Sequence, residues 1–279
     1  MKKNILAIQM RSVIGDVDTN FRRVEAMFEE FYSHERALIP DIVVLPEVWT
    51  AGWACDVFQK CKDNEYKTEH FLAHLAKKYN VNIIGGSYIK ETDGVCKNTC
   101  PVLIRDGQTS ARYEKIHLYA PDGEADAVSA GSTPVVVDIE GLKIGLSICY
   151  DIRFPELFRS YINSDFCPDM MINMSAWPMT RCEQYVSMAQ SRAIENQCFF
   201  LALSQTGEIR NGVYNSGNSV LVEPMGKAIS RLGVNESYIL AQIDTNVVEN
   251  VRKKFPNLQN RRVYDFGFKP EKMGIELYV

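Results

Sequence analysis

Short apolar strands in this chain are joined in two incompatible ways, and that mixture is what most restricts its fold. Tight turns at Asp106-Gly107 and Glu140-Gly141 separate TCPVLIR from SARYEK and PVVVDI from KIGLSIC. A turn that short allows only antiparallel pairing. Elsewhere the strands are separated by segments of helical period, which serve parallel neighbours. NILAIQM precedes a helix expected from Asp18, its N-cap, through Phe31, and IVVLP follows. A helix over residues 65–79 places Phe71, Leu72, Leu75 and Tyr79 at helical spacing before the strand VNIIGGSYIK. In the second half a helix after Phe154-Pro155 leads to MMINMS. A further helix from Arg181 to Asn196 puts Cys182, Tyr185, Ala189 and Ala193 on one face. CFFLALS, SVLVEP, KAIS and YILAQID complete the strands, with a turn at Pro224-Met225-Gly226. Hairpins combined with helical crossovers predict an α/β chain of two sheets packed face to face, with helices outside. No repeat or Pro/Gly/Ser linker divides it, so residues 1–279 are read as a single domain.

Composition removes several classes of function. Hydrophobic residues make up 46% and charged residues 24% of the 279, which is ordinary for a globular chain and unlike a disordered or fibrous one. The longest apolar run is CFFLAL, far short of the roughly 20 residues of a membrane span. The opening MKKNILAIQMR has the basic front of a signal peptide, but Gln9 and Arg11 interrupt its apolar stretch. It is read as a first strand of a cytoplasmic protein. A net charge of −4 provides no basic footprint for nucleic acid or an anionic membrane. Eight cysteines in a chain read this way are expected as reduced thiols, most of them small buried hydrophobes.

Reactive groups collect where strands end and loops begin. IVVLP runs into Glu47, SARYEK ends on Lys115, and KIGLSIC ends on Cys149. Each alone has an ordinary explanation: a solvated acid, a lysine covering apolar surface, a core cysteine. Together they form a chemical set, in which a thiol attacks, a cation stabilises negative charge and a carboxyl group moves protons. LPEVWTAGW, YEKIHL and ICYDIRFPE carry these residues in order, and SAWPMTR, SRAIENQCF and GNSVLVEPMGK follow. In these motifs the chain resembles the nitrilase superfamily of carbon–nitrogen hydrolases, over essentially its whole length.

The resemblance implies a four-layer αββα sandwich and a Glu47–Lys115–Cys149 triad, without metal or organic cofactor. It implies attack of Cys149 on a small primary amide with Glu47 as general base. The oxyanion would be met by Lys115 and the backbone N–H of Tyr150. Hydrolysis of the resulting thioester would release a carboxylic acid. Glu124, in APDGEADAVSAG, occupies the loop where related amidases place a second glutamate, and is expected to hold Lys115. Tyr150-Asp151 follows the cysteine where nitrilases proper carry Trp-Glu, which favours amides over nitriles. CYDIRFPELFR with AWPMTR is most similar to the ω-amidase branch, which acts on 2-oxoglutaramate and 2-oxosuccinamate. Such substrates carry a distal carboxylate, for which Arg153 and Arg181 are the candidate partners. Arg153 has a competing expectation, pairing with Glu156 behind Cys149. Tyr150, Trp177 and either Trp49 or Trp53 are expected to line the pocket.

Other readings remain open on the residues alone. An N-carbamyl amino acid amidohydrolase or another aliphatic amidase would use the same triad. His117, two residues after Lys115, could instead pair with Cys149 as in thiol proteases. Cys55, Cys61, His70 and His74 loosely imitate a zinc motif, although the cysteine spacing is too long and the central spacer too short. A catalytically quiet interaction subunit would be signalled by a missing triad member, and all three are present. Relatives commonly pair two sandwiches near the nucleophile, so a homodimer through the helices after Phe154 and Arg181 is expected. The tail after Arg262 has no clear period and is read as reaching onto a neighbouring subunit.

Overall fold

The structure is a computed structural model describing residues 1–34, 37–162 and 167–262. The tail beyond Arg262 lies outside the described residues. The chain runs β1 (Lys2–Gln9), α1 (Val17–Tyr32), β2 (Ile42–Val44), α2 (Cys55–Phe58), α3 (Lys67–Tyr79), β3 (Asn82–Ile84) and β4 (Tyr88–Thr92). There follow β5 (Val95–Leu103), β6 (Thr109–Glu114), α4 (Glu124–Ala127), β7 (Val136–Ile139) and β8 (Leu142–Ile148). Next come α5 (Pro155–Ser160), β9 (Met170–Ser175), α6 (Cys182–Asn196) and β10 (Phe199–Ser204). The last elements are β11 (Thr206–Arg210), β12 (Val213–Ser216), β13 (Val220–Val222), β14 (Ala228–Arg231), β15 (Ser237–Asp244) and α7 (Thr245–Lys254).

One sheet has the order β15-β1-β2-β3-β5-β4, with β6 on β5; the other runs β14-β13-β10-β9-β8-β7. Each has a parallel centre built by helical crossovers, β1-β2-β3 and β8-β9-β10, flanked by antiparallel strands. Alternation along β1 makes the layers. Ile5 and Ala7 join the core shared with Ile144, Leu146 and Ile172 of the second sheet. Leu6 and Ile8 pack instead with Val24, Phe28 and Phe31 of α1 and Leu72 and Leu75 of α3. On the far side Tyr185, Ala189 and Ala193 of α6 cover the second sheet. The result is the α–β–β–α layering expected, with both sheets apolar on two faces.

Four details differ from the sequence reading. The N-cap of α1 is Asp16, whose carboxylate accepts from Thr19 N–H at 3.0 Å, and Asp18 sits in the first turn, where an acid suits the helix dipole. VNIIGGSYIK is two strands, because Gly86 (φ +63°) turns the chain so close to residues 45–46 that a Cβ there would lie 2.1 Å from the Pro46 carbonyl oxygen. The β11–β12 hairpin was missed although Asn211-Gly212, both at positive φ, carries its turn. Helix α7, capped by Asp244, was missed as well.

Candidate active site

The three strand-end residues converge at one end of the sandwich. Glu47 stands three residues past β2, Lys115 directly past β6, and Cys149 directly past β8. Two of these corners are strained. Val48 has φ +36° and Cys149 φ +46°, left-handed values that cost an L-residue free energy and persist only when neighbours enforce them. For Val48 the restraint is its N–H on Ser87 Oγ (2.9 Å), together with the Glu47 carbonyl receiving Gln205 Nε2. For Cys149 it is Asp151, a fully buried carboxylate that accepts from Ile148 N (2.9 Å), Tyr113 OH (2.6 Å), His117 N (2.9 Å) and His117 Nδ1 (2.8 Å). Asp151 therefore ties the cysteine corner to the strand end that carries Lys115.

Lys115 is sealed from solvent and donates to Glu47 Oε1 (2.9 Å) and to both oxygens of Glu124 (2.9 and 2.8 Å). Glu47 also accepts from Asn98 Nδ2 (3.0 Å) and, on its other oxygen, from Ala176 N (2.8 Å). Glu124 accepts from Tyr119 N at 2.7 Å in addition to its contacts with Lys115. Two carboxylates around one ammonium leave the cluster with one excess negative charge, and the charges shape one another. Burial pushes Glu47 above the ordinary carboxylate range, Lys115 opposes this and Glu124 reinforces it. Burial disfavours the Lys115 ammonium, but Glu47 and Glu124 outweigh it and hold the lysine above its usual value. Burial and the charge of Glu47 raise the Cys149 thiol well above its usual value against the pull of Lys115. At rest the sulfur is a neutral thiol in the field of a carboxylate of raised proton affinity.

A cavity of about 340 Å³ opens onto Cys149. Its walls include Tyr150, Trp177, Trp53, Arg153 and Arg181. Arg153 does not pair with Glu156. Its guanidinium donates to Gln184 (2.9 Å) and stacks over Trp177, 4.9 Å from the ring centre. Arg181 donates to Tyr119 OH at 2.8 Å, and its Nε is buried without a partner. Neither arginine meets a carboxylate among the described residues. Trp49 is not a wall: its indole donates to the Gly85 carbonyl at 2.8 Å and its ring packs with Phe21 under α1. Nor does His117 serve the thiol, since it bonds Asp151 and stacks on Phe154 with ring centres 3.8 Å apart. Among the described residues, no group of three or more His, Cys, Asp or Glu side chains forms a metal site.

Sequence reasoning missed Asn98, Asp122, Tyr119, Ile209 and Val213. Asn98 had a signal: it is the polar member of an inward series with Cys100 and Val102 on β5. Ile209 and Val213 reach the cavity from the unrecognised β11–β12 hairpin, and Asp122, which accepts from Trp53 Nε1 at 3.2 Å, comes from a loop without periodicity.

Comparison with known proteins gives the family and the fold. The family model for carbon–nitrogen hydrolase matches residues 5–253. The chain is 30% identical to 2-oxoglutaramate amidase of Bacillus subtilis over 257 residues, covering 92% of this chain and 96% of the relative. It is 29% identical to omega-amidase NIT3 of Saccharomyces cerevisiae, covering 94% of both. The solved structure of a CN-hydrolase superfamily protein from Xanthomonas campestris superposes with a TM-score of 0.88 at 24% identity, over 96% of this chain and all of the other. With the family matched along nearly its whole length, the chain belongs to the carbon–nitrogen hydrolases, of the nitrilase fold, and is an amidase.

Proposed function

We propose that this amidase hydrolyses the terminal amide of a short 2-oxo dicarboxylic acid monoamide, of the 2-oxoglutaramate or 2-oxosuccinamate type, through Cys149. The Glu47 carboxylate takes the thiol proton as Sγ bonds to the amide carbon, and the carbonyl π pair moves onto oxygen. The Lys115 ammonium and the Tyr150 N–H stabilise that oxyanion; Tyr150 is the second residue of the turn Cys149–Arg153, where the first N–H groups lack intrahelical acceptors. Collapse breaks the C–N bond, and protonated Glu47 returns its proton to the departing ammonia. Water then adds to the thioester, giving a proton to Glu47; the C–S bond breaks, the sulfur regains that proton, and the acid leaves. Glu124 keeps Lys115 in place throughout.

The observation that carries the substrate reading is the pair of arginines, Arg153 and Arg181, lining a small cavity with the thiol and paired with no carboxylate among the described residues. A distal substrate carboxylate supplies the missing partner, and the aromatic walls suit a short chain. Ammonia release from a panel of short ω-amides tests this. The 2-oxo dicarboxylic monoamides are expected to give the highest kcat/KM, and a preference for N-carbamyl amino acids overturns it. Arg181→Ala is expected to raise KM at least about tenfold with kcat changed much less, the size of one lost charge-assisted contact.

The reading extends to a homodimer through α5 and α6, supported by the half-exposed Ile194 at the end of α6. Light scattering is expected to give the mass of two chains; a monomer removes this part. It also places the enzyme in the reducing cytoplasm, in keeping with eight free thiols, of which Cys149 must stay reduced to act.

A further inference from the structure

Lys115 is not alone in bridging the two buried carboxylates. Asn98 Nδ2 donates to Glu47 Oε1 at 3.0 Å and to Glu124 Oε1 at 3.2 Å. Lys115 Nζ donates to the same two oxygens, each at 2.9 Å. Two donors and two acceptors thus close a four-centre ring with no solvent access. The β5–β6 hairpin presents both donors, since Lys115 N donates to the Asn98 carbonyl at 2.9 Å where the strand pairing ends. The orientation of the amide follows from the ring: reversed, Oδ1 would face two carboxylate oxygens. In the orientation the ring selects, Oδ1 is buried without a partner, so the donor contacts have to outweigh that loss.

We infer that Asn98 is a positioning residue of the reaction, whose amide completes the ring that holds Glu47 in place and keeps its carboxylate ionised between turnovers. This rests on the reading of Glu47 as the general base. An amide suits the position better than the alternatives. It offers one N–H to each carboxylate, which a hydroxyl with a single proton does not. A second cation would cancel the excess negative charge and make Glu47 a weaker base. An aspartate would add a third negative charge. Asn98 does not border the cavity, so its effect on substrate passes through Glu47 and Glu124.

The direction of the effect follows from charge. Removing a donor from a carboxylate disfavours its ionised form, so the acid limb of activity moves to higher pH. The groups that share the field of Glu47 are Lys115, Glu124, Cys149, Cys55 and Tyr185, and of these Glu124 alone loses a hydrogen bond when Asn98 is changed.

The test uses the intact chain and two pH profiles: kcat/KM for 2-oxoglutaramate, and the rate of Cys149 alkylation by iodoacetamide followed by mass spectrometry. Alkylation does not depend on which amide is the natural substrate. Asn98→Ala is expected to move the acid limb of both profiles up by about one pH unit, with kcat lowered more than KM is raised. Asn98→Ser, which retains one donor, is expected to move it less, and Asn98→Asp to move it further than alanine. A limb unmoved in the serine and aspartate variants overturns the inference even if the alanine variant does not fold. Glu47→Gln separates the two claims. Loss of the limb in that variant, with no shift in the Asn98 series, rejects the role of Asn98 alone. A limb that survives Glu47→Gln rejects the base assignment beneath it.

Discussion

Cys149→Ala is expected to lose at least about 10⁴-fold of kcat/KM for any amide the enzyme accepts, while the fold survives. The size follows from the proposed mechanism: without sulfur no thioester forms, and the remaining Lys115 and Tyr150 N–H have no covalent intermediate to stabilise. The survival of the fold follows from the resting charge state. Burial and Glu47 keep the thiol protonated, so alanine removes a neutral buried atom and strands no charge. The expected cost is about 1–2 kcal/mol for the small void. Ammonia release reads the first part and thermal unfolding the second. Sustained turnover by a folded Cys149→Ala enzyme would reject Cys149 as the nucleophile.

Lys115→Ala is expected to lose at least about 10³-fold in activity and, unlike the cysteine change, to be costly to stability as well. It leaves Glu47 and Glu124 facing each other with no solvent access and no cation. Breaking a buried ion pair from one side costs about 3–5 kcal/mol. The pH dependence has a definite sign. Without the lysine, burial and the neighbouring carboxylate leave Glu47 holding its proton in the folded state at pH values where the unfolded chain has released it. The folded state then binds more protons, and stability falls as pH rises above the ordinary glutamate range near 4.5. Chemical denaturation from pH 5 to 8 is expected to show the deficit of the variant growing with pH. His117→Ala is the contrast. It removes a partly exposed ring from Asp151 and Phe154, while the His117 backbone N–H still reaches Asp151, and a loss within about tenfold is expected. A histidine change as damaging as the lysine change would favour a Cys–His dyad.

Much of the layout was legible because it rests on local patterns. The Asp106-Gly107 and Glu140-Gly141 turns, the central strands and the main helices α1, α3 and α6 stand where residue type and period placed them, since turn chemistry and burial act over a few residues. The errors have the same origin. Gly85-Gly86 looked like the middle of a strand, because nothing nearby in sequence reveals that the Pro46 carbonyl passes against it. Pairing of Arg153 with Glu156 seemed natural from closeness along the chain, yet the guanidinium finds Gln184 and Trp177, which arrive from another loop and helix. Trp49 and Trp53 could not be told apart, four residues from each other, until one packed under α1 and the other over Lys115 with its ring centre 4.8 Å from Nζ.

The sequence by itself carried the motifs of the family and placed Glu47, Lys115 and Cys149 at three strand ends. Strand ends are where side chains leave the packed layers, and their identity is written residue by residue. Only the tertiary structure decided how those groups are tuned. The proton affinities of Glu47 and Cys149 depend on burial, on one lysine shared by two glutamates, and on Asn98 closing the ring from a neighbouring strand. The pocket depends on a hairpin and a loop far away in sequence. These are effects of desolvation and distance, set when the two sheets pack and bring together residues the chain keeps far apart.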